Sequence, residues 1–125
     1  MQIKEGDTAI KLGGCVYLMR PAMEALWDIE ESTGKSIPAL ATELSRGIFA
    51  VGDLCCIVHR AIHAAHSDAP DMEAIGNLMI DGGIFTILAP IADFLAVVLD
   101  GMARIECLLE KLAARQQTGT AATIH

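Results

Sequence analysis

Aromatic side chains are scarce in this chain: one Trp, one Tyr and three Phe in 125 residues. A β-sandwich leans on aromatic and β-branched residues for its core, so this scarcity argues against that architecture. Clustered positive charge is missing too. Nine Lys and Arg stand against 16 Asp and Glu, a formal net charge of −7. Without concentrated basic residues there is little to bind phosphates, which argues against nucleic acid and anionic membrane surfaces as partners. The cysteines, Cys15, Cys55, Cys56 and Cys107, form neither a disulfide framework nor a CxxC metal knuckle. The segment Met1 to Asp7 is polar and acidic, unlike a secretory signal. The longest apolar run, Ile84 to Leu99, is 16 residues and contains Asp93. That is shorter than the roughly 20 residues of a membrane span. A reduced, cytoplasmic protein with no membrane contact is expected. No GxxxxGK[ST], GxGxxG or GxSxG motif is present, and no pair of carboxylates is drawn together by spacing. No catalytic residues and no cofactor are assigned, and the chain reads as a non-enzyme.

What is present is aliphatic. Hydrophobic residues make up 53% of the chain and mean hydropathy is +0.44. This excludes disorder for most of its length and favours packed helices. The expected fold is α+β and mostly α: an N-terminal β-hairpin followed by a bundle of about five helices. One domain spans 1–115, with the hairpin in 6–20 and the bundle in 21–115, and 116–125 is read as a flexible C-terminal tail. The hairpin signal is Gly13-Gly14 between two runs of strand formers. Pro21 then opens a helix that ends at Gly34, with Trp27 expected to anchor it on the hairpin. Ser36 caps a second helix that closes at Gly47. A third runs from about Val51 to His66 with Leu54, Ile57, Val58, Ala61, Ile62 and Ala65 as its apolar stripe. A fourth precedes Gly82-Gly83.

The last helix carries two seven-residue series, Leu88, Leu95, Met102, Leu109 and Ile91, Val98, Ile105, Leu112. This is an a/d heptad pattern, but its flanks include Ala92, Phe94, Leu99, Leu108 and Ala113. Such a wide apolar face suits packing on several neighbours, within the subunit or across an interface. Pro90 either marks the start of this helix near Ala89 or kinks it. Asp100 and Arg104 are spaced for an i, i+4 pair on its outer side.

One cluster invites a metal. Cys55, His59, His63 and His66 lie at spacings that bring soft ligands to one side of a helix, as Zn²⁺ requires. The similarity to the zinc-protease motif HExxH fails at Arg60, where that motif has its general-base Glu. The plainer reading puts Cys56 on the core face and the histidines on a polar edge.

The order of elements resembles the tail assembly chaperone family of phages, prophages and gene transfer agents. The stretches that carry it are Met23-Glu24-Ala25-Leu26-Trp27-Asp28-Ile29-Glu30-Glu31-Ser32-Thr33-Gly34, then Ile37 to Gly47, the Asp53-Leu54 helix start, Met72 to Gly83 and the long apolar helix. The resemblance covers about residues 6–112; the Cys55-Cys56 pair and the histidine row are not part of the pattern. It implies a protein of the bacterial cytoplasm that binds the tape-measure protein and helps recruit tail-tube protein around it. The expected binding face is on the last helix, at Phe94, Leu95, Val98, Leu99, Met102 and Ile105. A structural minor tail or tail-tube component is the alternative within that family, and a metal-binding helical protein the alternative outside it. Self-association is left open.

Overall fold

A computed structural model of the chain describes residues 3–124, with side chains described for 3–104 and 107–114. The fold is α+β and mostly α. Two antiparallel strands, β1 (Thr8–Leu12) and β2 (Cys15–Met19), precede five helices. These are α1 (Met23–Thr33), α2 (Ile37–Arg46), α3 (Val51–Ala65), α4 (Met72–Gly82) and α5 (Ile84–Ile124).

Gly13 and Gly14 both have positive φ, 57° and 80°, as a tight two-residue turn demands. The turn sets the register, pairing Leu12 with Cys15 and Thr8 with Met19. A Cβ at Gly13 would lie 2.7 Å from Leu78 Cδ2, so the Leu78 side chain would have to shift to admit one. One residue beyond the ladder, Arg20 closes the open end of the hairpin on Asp7. Its Nε donates to Oδ1 and its Nη2 to Oδ2, both at 3.0 Å. The Asp7 side chain is fully covered, and the Arg20 bond holds its carboxyl below the ordinary aspartate range.

Ile10, Leu12, Leu18 and Met19 are the buried residues of the hairpin. An isolated hairpin is marginal in water, and this one lies on the helices: β2 against α3, β1 against α4 and α5. The outer edge of β2 is satisfied by α3. Leu18 N–H donates to His66 Nε2 at 2.9 Å, and Arg20 N–H donates to the Ala61 carbonyl at 3.0 Å. Helix α3 also packs on α1, α4 and α5, burying Leu54, Cys56, Ile57, Val58, Ala61 and Ile62.

Helix boundaries follow local chemistry. Ser36 Oγ accepts the Ala39 N–H at the start of α2, and the Asp71 carboxylate accepts the Ala74 N–H at the start of α4. Gly34 and Gly47 end α1 and α2 in the left-handed conformation. Two starts differ from the sequence reading. Helix α1 begins at Met23, because Ala22 is still extended. Helix α5 begins at Ile84, well before Pro90. Proline near a helix start removes one i→i−4 bond, here the one to the Thr86 carbonyl, and the turns on either side persist. The α5 backbone is helical through 116–124, the stretch read from the sequence as a tail.

Of the two phenylalanines at the start of α5, Phe94 is 0% exposed and Phe85 is 84% exposed. Phe94→Ala is expected to cost about 3–5 kcal/mol of unfolding free energy. Phe85→Ala is expected to stay within about 0.5 kcal/mol. Urea titration followed by circular dichroism distinguishes the two.

Candidate functional site

The histidine and cysteine row of α3 does not converge. Cys55 Sγ points to the Met72 carbonyl, 3.4 Å away at the start of α4, and burial pushes its thiol pKa up. The His59 and His63 rings lie side by side, with centroids 4.4 Å apart and planes tilted by 47°. His63 Nε2 is 2.8 Å from the Pro70 carbonyl, so it carries the proton and donates. His66 turns the other way, to the hairpin, where it accepts the Leu18 N–H and meets the Tyr17 ring edge-on at 5.7 Å. Among the described residues no three His, Cys, Asp or Glu are grouped as metal ligands. Helical spacing placed Cys55, His59 and His63 near one another. It did not foresee that His66 caps α3 and is claimed by the edge of β2.

His59 is held below the ordinary histidine pKa. Burial is the main cause, followed by the neighbouring His63 and Arg60, while Asp71 acts in the opposite sense. Its neutral form therefore belongs to the folded state.

Helix α5 carries exposed apolar side chains at Phe85, Val97, Leu108, Leu109 and Leu112. Two grooves of similar size flank it. One, about 440 Å³, runs between α2 and α5 and is lined by Leu44, Leu88, Ala92, Leu95, Ala96 and Leu99. The other, about 450 Å³, runs between α1 and α5 past Met23, Trp27, Val97, Gly101 and Met102, with Asp100 and Arg104 at its rim. Asp100 and Arg104 form the expected i, i+4 pair at 2.9 Å. Trp27 is 65% exposed on this second groove and does not anchor α1 on the hairpin. Leu26 and Ile29 turn α1 inward, with Ile29 in the core and Leu26 against it.

The residues expected to form a binding face divide. Phe94, Leu95 and Val98 are core residues, 0–6% exposed, because α5 must bury one face to hold the bundle together. Leu99 and Met102 are half-buried at the edge of that core and line the two grooves. The Ile105 side chain lies outside the described residues. The apolar side chains that do reach solvent along α5 include Val97, Leu108, Leu109 and Leu112. The last two belong to the heptad series whose earlier members, Leu95 and Val98, are buried.

By length and composition, α5 is the one helix among the described residues apolar enough to cross a membrane. The apolar run read from the sequence, Ile84 to Leu99, is 16 residues and contains Asp93, and the helix that carries it is much longer. In the fold, Ile87, Ile91, Phe94 and Leu95 of this helix are core.

No protein-family model, curated protein sequence or solved structure matches this chain.

The pKa of His59 sets a sign for acid stability. The folded value lies below the ordinary 6.5, so as pH falls through 6.5 the unfolded chain takes up a proton that the folded chain resists. Stability is expected to drop from pH 7 towards pH 5, and His59→Gln to flatten that decline. Unfolding free energies measured at half-unit pH steps would show no difference between the two proteins if His59 were not the cause.

Proposed function

We propose that this chain is a tail assembly chaperone of a phage, prophage or gene transfer agent, acting in the bacterial cytoplasm. In this reading it binds helical segments of the tape-measure protein and helps bring tail-tube protein to them. The order of elements from the hairpin to the long helix supports the reading, as does the character of the surface. The observation that carries it is the apolar groove between α2 and α5, open to solvent and floored by Leu44, Leu95 and Leu99. A groove of this kind takes an amphipathic helix through i, i+3, i+4, i+7 anchors. The formal charge of −7 keeps the chaperone soluble while that apolar surface is exposed. Exposed Ala92 and Ala96 form one wall, and their small side chains leave room for anchors from the client.

Co-expression with the tape-measure protein of the same tail gene cluster tests the reading. The chain should co-purify with that protein and raise its soluble yield. Ala92→Glu with Ala96→Glu should abolish co-purification while leaving the melting temperature within a few degrees, since both sites are exposed. Co-purification unaffected by the pair would place the client elsewhere. A tape-measure protein equally soluble without the chain would end the proposal.

A chaperone leaves before the particle is complete, whereas a structural tail component stays. Mass spectrometry of purified particles is expected to find the chain absent or far below stoichiometric amounts. A stoichiometric presence would favour the structural alternative.

A further inference from the structure

The second groove and the exposed leucines beyond it lie on the same side of α5. At about 100° per residue, Val97, Gly101, Leu108 and Leu112 fall within about 60° of the helix circumference. Val97 and Gly101 line the groove together with Met23 and Trp27 of α1. Leu108 and Leu112 stand clear of the domain, 59% and 48% exposed. A concave apolar site and a convex one therefore sit side by side, about seven to eleven residues apart along one helix face. A two-fold axis between them would place each leucine pair in the groove of a second copy. This is the self-complementary arrangement that an isologous dimer requires.

We infer that the chain forms an antiparallel two-fold dimer through α5, with Leu108 and Leu112 of each protomer seated in the Met23/Trp27/Val97/Gly101 groove of its partner. The inference does not depend on the chaperone reading, which uses the opposite flank of α5.

Three further observations favour a second copy as the occupant. The first is charge. Asp100 and Lys111 lie on the same flank of this face, outside the apolar strip. With the axis near residue 105 and the helices antiparallel, Asp100 of each protomer, which already holds its own Arg104 at 2.9 Å, comes level with Lys111 of the other, giving two equivalent ionic contacts. A parallel two-fold pairing would put the two copies of this flank on opposite sides of the seam, so Asp100 and Lys111 would not meet across it. The second is Gly101. Glycine inside a helix costs about 1 kcal/mol relative to alanine, and a Cβ at 101 would meet no atom within 4 Å in the monomer. Packing within one chain therefore does not call for a glycine here, whereas a crossing helix at close range does. The third is area. Met23, Trp27, Val97, Leu108 and Leu112 are each between 38% and 65% exposed. Together they present on the order of 600 Å² per protomer, about the lower end of the range per partner for a stable interface.

Sedimentation velocity on the full chain, purified without a tag at micromolar concentrations, tests this. The expected species has twice the 13.3 kDa chain mass. Leu108→Asp with Leu112→Asp should give a monomer with an unchanged circular dichroism spectrum, because neither leucine touches the domain core. Asp100→Lys and Lys111→Asp should each weaken the dimer by about tenfold in Kd, through two equivalent contacts. The double variant carrying both changes should recover most of that loss. A monomer at all concentrations, or a dimer indifferent to the leucine pair, would overturn the proposal. Failure of the charge swap to recover would overturn the antiparallel register. Loss of the dimer with retained tape-measure binding would leave the chaperone reading standing, and the converse would do the reverse.

Discussion

A two-stranded hairpin leaves one row of backbone N–H groups on each outer edge without partners, and most of this fold is arranged around how α3 covers one of them. Leu18 and Arg20, two residues apart on the outer edge of β2, donate to His66 Nε2 and the Ala61 carbonyl. Those two bonds fix the hairpin against the last turns of α3. Once it is fixed there, Met19 joins the same core as Ile57, Val58 and Ile62. The Asp7–Arg20 pair then holds the strands together at their open end. The helices α1, α4 and α5 all close on α3. Loss of the α3–β2 contact would free not one element but the platform on which the others rest.

Helix α5 answers a second constraint. With five aromatics in the whole chain, buried area must come from aliphatic residues in number. The chain supplies them as one long helix with a wide apolar face. The domain is shorter than the helix, so the same face is core as far as Val98 and solvent-exposed at Leu109 and Leu112. Apolar surface of this extent on a long helix is seldom left uncovered. The α2–α5 groove and the α1–α5 groove divide that surface between two flanks. In the proposed readings the two flanks are used separately, one for a client and one for a second copy.

Much of the architecture was legible from local signals. The Gly13-Gly14 turn, the Ser36 cap, the Gly34 and Gly47 ends and the α3 stripe each depend on a few adjacent residues, so they read directly. Asp100 and Arg104 pair as their spacing implies. The site was less legible. The a/d pattern of α5 located the apolar face correctly, yet it could not say which members another helix of the same chain would cover. Phe94, Leu95 and Val98 fell to the core, and Trp27, the largest side chain, was left on a groove. Asp7 and Arg20, 13 residues apart, carried no motif; their partnership follows from hairpin register one step past the last paired residues.

By itself the sequence determined the order of the elements, most of their caps and ends, the mostly helical class and the face of α5 that is apolar. These are set by backbone sterics, capping and periodicity, which act over a few residues. Tertiary structure alone decided which part of that apolar face is consumed in folding and which part remains on the surface. That choice depends on how far β1, α2, α3 and α4 extend along α5. It also decided that His66 serves the edge of β2. A side chain with two possible roles takes the one whose partner the packing brings within hydrogen-bond distance.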